Sequence, residues 1–68
     1  MKFSKELLHV LACENIAIID WEDNKVKYDG NKVDFQYDVK NQSLIKSIEG
    51  RDMLITIYDE KTLIIGLY

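Results

Sequence analysis

The chain has no proline and only one cysteine, Cys13, so neither a rigid proline linker nor an internal disulfide can shape it. Its three glycines, Gly30, Gly50 and Gly66, are isolated from one another, which excludes a glycine-rich phosphate loop. One histidine, His9, and one cysteine cannot supply a four-ligand zinc site of the usual kind. No apolar run approaches the roughly 18 residues that a membrane span needs. Basic residues do not dominate either. Nine Lys and Arg stand against twelve Asp and Glu, for a net charge of −3, a poor basis for binding that rests on neutralising phosphates.

At 68 residues the chain is read as a single domain spanning 1–68, close to the lower size limit for independent folding. A chain of this length buries only about 60% of its unfolded surface. Its 47% hydrophobic content is nevertheless that of a globular protein. Stability must then come from tight packing or from self-association, and a homo-oligomer, most simply a dimer, is the expectation. Met1-Lys2-Phe3-Ser4 leads into charged Lys5-Glu6 without an apolar signal segment. With one free cysteine as well, the expected location is cytoplasmic. Asn41-Gln42-Ser43 fits a glycosylation sequon, which on that reading is a chance match in a polar turn.

Residues 4–13, SKELLHVLAC, predict a helix. Ser4 suits the N-cap, Glu6 the first turn, and Leu7, Leu8 and Leu11 share a face, with Phe3 placed to staple against Leu8. Ile16–Trp21 is a dense apolar run that predicts the first strand, and 22–25 a polar turn. Lys25–Asp29 alternates as a second strand, and Asp29-Gly30 is a strong hairpin signal. From 33 to 39, Val33, Phe35, Tyr37 and Val39 alternate with Asp34, Gln36 and Asp38, the pattern of an antiparallel strand with one wet face. Leu44–Glu49 fits a short strand, with a helical turn as the alternative. The closing stretch, Met53–Tyr58 and Leu63–Tyr68 around Asp59-Glu60-Lys61-Thr62, predicts a hairpin apolar on both faces and hence central. The expected fold class is α+β, mostly β. One N-terminal helix precedes a five- to six-stranded antiparallel meander, as a curved sheet or a small, partly closed barrel.

Little in this sequence points to catalysis. His9 and Cys13 would share a helical face, yet Ala12-Cys13-Glu14 matches no nucleophile motif, and both are expected to be structural. Asp20-Trp21-Glu22-Asp23-Asn24 gathers acids, but the glycine and glutamate places of a calcium loop fall on Lys25 and Asn31. The expectation is no enzyme, no catalytic residue, no metal and no cofactor. Aromatics are better placed for binding. Trp21 and Tyr68 at strand ends, with acidic Glu22 and Asp23, form the candidate protein-binding set. Lys25, Lys27 and Lys32 around Tyr28 form the alternative, a nucleic-acid-binding set.

Ser47-Ile48-Glu49-Gly50-Arg51-Asp52-Met53-Leu54-Ile55-Thr56-Ile57, followed by Leu63-Ile64-Ile65-Gly66, resembles the YabP/YqfC family of small sporulation proteins. The resemblance covers mainly residues 44–68. It implies a non-enzymatic role in spore-coat or envelope assembly and brings no catalytic residues. A short helix before five strands is also similar in outline to Sm-like RNA-binding rings, and an OB-like barrel is the related shape. Tyr58-Asp59-Glu60-Lys61-Thr62 lacks the basic and histidine character of an RNA loop. The leading expectation is therefore a non-enzymatic interaction or assembly module of bacterial or phage type, whose partner is a protein or a second copy. A phage-encoded inhibitor of a host protein is one version of it. A nucleic-acid-binding small barrel is the alternative.

Overall fold

A computed structural model describes every residue from Met1 to Tyr68. Helix α1 (Lys5–Val10) is followed by strands β1 (Asn15–Asp20) and β2 (Lys25–Asn31). Helix α2 (Lys32–Tyr37), a 3-10 turn (Val39–Asn41) and helix α3 (Gln42–Ile48) come next, then strands β3 (Met53–Ile57) and β4 (Thr62–Leu67). The four strands form one sheet in the order β2-β1-β4-β3. The two hairpins are antiparallel internally, and they meet in the middle through a parallel β1–β4 pair. The chain thus passes from one edge of the sheet, β2, to the other, β3, by way of α2 and α3.

That passage decides where the core lies. Ile16 and Ile18 of β1, with Ile65 and Leu67 of β4, alternate onto the face that meets Leu8 of α1, Phe35 of α2, and Ile45 and Ile48 of α3. Phe3 and Met53 complete the cluster, and all ten side chains are at most 5% exposed. The opposite face carries no helix. Ser4 caps α1 as its sequence position suggests, its hydroxyl accepting from the Leu7 amide at 3.1 Å. The helix runs six residues and ends before Cys13; of its leucine stripe only Leu8 is fully buried. Asn24 closes the β1–β2 turn at φ 55°, the left-handed region that asparagine tolerates. Gly50, at φ 81°, follows α3 in the position where a helix end favours glycine.

The meander and the barrel are not what forms. Residues 33–39, read as a strand, are α2 and the start of the 3-10 turn. Asn31 caps α2, its side chain accepting from the Asp34 amide at 3.0 Å, and the buried positions Lys32, Phe35 and Gln36 follow helical spacing. Of the alternating apolar residues only Phe35 is buried; Val33, Tyr37 and Val39 are exposed. Asp29-Gly30 makes no hairpin turn, because both residues lie within β2, opposite Ala17 and Ile16. Leu44–Glu49 is helical through Ile48, which places Ile45 and Ile48 on one buried face. With two segments helical, four strands remain. The edge strands β2 and β3 do not pair, so the sheet stays open and no barrel closes.

The closing hairpin is present, but only one of its strands is central. β4 lies between β1 and β3, whereas β3 is an edge strand whose Leu54 and Ile57 are 60% and 76% exposed. This separates two substitutions that the sequence treats alike. Ile65→Asp buries an unpaired carboxylate in the core and should abolish cooperative folding. Leu54→Asp should stay within about 1 kcal/mol of the parent, as an exposed substitution does. Urea unfolding followed by circular dichroism distinguishes them; loss of folding in both would place β3 inside the sheet.

Candidate interaction surface

The uncovered face of the sheet is apolar at its centre. Ala17, Ile19 and Ile64 form the floor of a shallow groove of about 290 Å³, with Val26 and Tyr58 along its sides and Asp29 at its rim. Val26 and Tyr58 are largely exposed. At one end the Trp21 indole lies over Gly66, so close that a Cβ there would stand 2.5 Å from its Nε1. Gly66 is therefore a contact site for the indole, and no side chain fits beneath it.

Beside Trp21 the sheet is closed by a polar clamp. Asp20 has the same strand parity as Ile16 and Ile18, so its carboxylate points to the covered face and is 5% exposed. Arg51 meets it with two parallel bonds, Nη1 donating to Oδ2 at 2.7 Å and Nη2 to Oδ1 at 3.1 Å. The same guanidinium donates to the main-chain oxygen of Tyr68 at 3.3 and 3.2 Å, and lies 3.4 Å from Glu22 Oε1. The Glu22 amide donates to Asp20 Oδ1 at 3.0 Å. The Arg51 hydrogen bonds, aided by that amide, outweigh burial and hold the Asp20 pKa down at about 2, below its usual 3.8.

Two of the four residues expected to bind protein touch Arg51, Glu22 through its carboxylate and Tyr68 through its main-chain oxygen, while Trp21 lies over Gly66 on the other face. Asp23 pairs with Lys27 at 3.1 Å and acts on Arg51 only through its charge. Asp20 and Arg51, which organise this corner, stand in the sequence only as part of an acidic run and as the residue after Gly50, and neither candidate set includes them. An acid at core parity in an isoleucine run was the available signal.

The nucleic-acid set is dispersed. Lys32 is 8% exposed, and its ammonium donates to the carbonyls of Leu8 and Leu11 at 2.7 and 2.6 Å, where it closes the end of α1. The Tyr28 ring packs against Phe35 at 4.6 Å, and its hydroxyl donates to the Asn31 carbonyl at 2.8 Å. Burial, with nearby Asp34, raises the pKa of that hydroxyl. Lys25 and Lys27 remain on β2 with Asp23 and Asp29 beside them. His9 and Cys13 belong to different elements, since α1 ends at Val10; His9 is exposed and Cys13 packs against the core. No group of three or more His, Cys, Asp or Glu side chains converges to hold a metal. No helix is long and apolar enough to cross a membrane.

Comparison of the chain with protein families, curated proteins and solved structures returned no match. What the surface can do rests on its own geometry.

The clamp gives stability a pH signature. Asp20 has a lower pKa when folded than when unfolded, so its contribution is complete above about pH 4 and is lost as pH falls toward 2. Asp20→Asn should lower the urea midpoint at neutral pH and make its decline between pH 4 and pH 2 shallower. Parallel curves for the two proteins across that interval would refute the assignment.

Proposed function

We propose that this protein is a non-enzymatic interaction module that works by contact with other polypeptide, whether a partner protein or a second copy of itself. The observation that carries the reading is the one-sided layering. All three helices cover one face of the sheet, and the other offers Ala17, Ile19 and Ile64 between exposed Val26 and Tyr58. In a small chain, an apolar patch rimmed by polar residues marks a surface that is covered in use. Trp21 and Tyr68, half exposed beside it, are of the residue types that anchor protein interfaces. The resemblance of residues 44–68 to YabP/YqfC proteins points the same way, toward assembly in a bacterial setting. The dispersal of Lys32 and Tyr28 into the interior leaves the nucleic-acid reading without a basic platform.

The test is affinity capture with the tagged chain against a double variant, Val26→Lys with Ile64→Lys, whose fold is first verified by circular dichroism. Each lysine removes apolar contact and adds a charge that must be desolvated on binding, so capture should fall at least about tenfold, equal to 1.4 kcal/mol. Equal capture by both proteins would show that the open face is not the binding surface.

A further inference from the structure

The two edges of the sheet are built differently. β2 has Lys25, Lys27 and Asp29 along its length and a register shift opposite Ile18 and Ile19, devices that discourage edge-to-edge pairing. β3 has none of them. From Met53 to Tyr58 it has no charge, no proline and no bulge, and Leu54, Ile57 and Tyr58 are exposed.

The hydrogen bonding of β3 identifies which backbone groups face outward. The Tyr58 amide donates to the Thr62 carbonyl at 3.0 Å, and the Tyr68 amide to the Asp52 carbonyl at 2.9 Å. Even-numbered residues of β3 therefore bond toward β4, and Met53, Ile55 and Ile57 bond away from it. Met53 is already engaged, its amide donating to the Met1 carbonyl at 2.8 Å where residues 1–3 run beside 50–53. Lys2 pairs with Asp52 at 2.7 Å on the same strap. The outward groups of Ile55 and Ile57 remain. They lie in a window that the strap closes at Met53 and the 59–61 turn closes after Tyr58.

From this window we infer that β3 pairs antiparallel with β3 of a second copy of this chain, centred on Thr56, to join two sheets into one of eight strands. The inference rests on the interaction-module reading and names its partner and its register. Only one antiparallel self-pairing uses both free residues, with Ile55 opposite Ile57 of the second copy and the reverse. That register places Leu54 opposite Tyr58 on the open face and Thr56 opposite its own counterpart on the two-fold axis. All five positions meet apolar or hydroxyl partners, and no charge is buried. Aliphatic–aromatic and Thr–Thr cross-strand pairs are favourable ones. The two-fold consumes both copies of the β3 edge, and the charged β2 edges stay outside, so the assembly closes as a dimer and does not extend into a fibre. Five residues a side fall well below the roughly 20–30 of a standard interface, so the association is weak and shows itself only as concentration rises toward millimolar.

Sedimentation equilibrium across micromolar to millimolar concentrations should show a mass rising to twice the 8.0 kDa of the chain. Ile57→Lys, at an exposed position, should keep the fold and raise the dissociation constant at least tenfold. Register is tested by oxidation in a Cys13→Ser background. Thr56→Cys places a thiol opposite itself at a non-hydrogen-bonded pair, where Cα separations of about 4.5 Å suit a disulfide. It should form a covalent dimer, whereas Leu54→Cys should not. A wild-type chain that stays at 8.0 kDa at millimolar concentration overturns the inference, and so does a dimer insensitive to Ile57→Lys or cross-linked equally by the two cysteines. A monomer whose capture of partner still depends on Val26 and Ile64 overturns self-pairing alone and leaves the module reading standing.

Discussion

The structure depends on the parallel pairing of β1 with β4. These are two of the chain's isoleucine-bearing runs, and their registry sets Ile18 beside Ile65 and Ile16 beside Leu63 at the centre of the sheet. Each brings its own antiparallel neighbour, so the edges follow from the centre. Because β2 ends at one edge and β3 begins at the other, the intervening chain must cross the sheet. Its α2 and α3 bury Phe35, Ile45 and Ile48 on the face they cross, and α1 fills the remaining place with Leu8. One connection thus produces a two-layer fold with a covered and an open face.

The Asp20–Arg51 pair stabilises the end of this arrangement. It links the last residue of β1 to the segment before β3 and, through the Tyr68 main-chain oxygen, to the end of β4. A buried ion pair is not in itself strong evidence of stability, since desolvation opposes the attraction. Here two direct bonds and the Glu22 amide satisfy the carboxylate, and the pair joins three strands at one corner. The same corner positions Trp21 over Gly66 at the margin of the open face. The clamp closes the covered face and the groove lies on the open one, so the two meet only at this end of the sheet.

Much of this was legible where local chemistry decides the outcome. The Ser4 cap, the closing hairpin, the strand read at 16–21 (which ends at Asp20) and the turn read at 22–25 (which covers 21–24) follow, to within a residue, from capping, apolar runs and turn composition. Legibility failed where two periods compete. Val33, Phe35, Tyr37 and Val39 fit a strand by alternation, yet Asn31 with Asp34 three residues on is also a helix start, and tertiary contact through Phe35 decided for the six-residue helix. Ile45 and Ile48 posed the same ambiguity. The placement of β3 was illegible for another reason. An apolar strand reads the same at the centre of a sheet as at an edge that pairs with another chain, because only its neighbours differ. At this corner, the exposure of Trp21, Glu22 and Tyr68 follows from their strand-end and turn positions, but Arg51 lies 31 residues from Asp20 and no local pattern links them.

A β1–β4 core with an unpaired β3 edge leaves a pattern in amide hydrogen exchange, measured by NMR at two protein concentrations. The paired amides of β1 and β4 should exchange slowest at both concentrations. The Ile55 and Ile57 amides should exchange rapidly in dilute solution and slow markedly on concentration. Alternating strand-like protection across residues 33–39, or protection of Ile55 and Ile57 that is already full in the dilute sample, would contradict this arrangement.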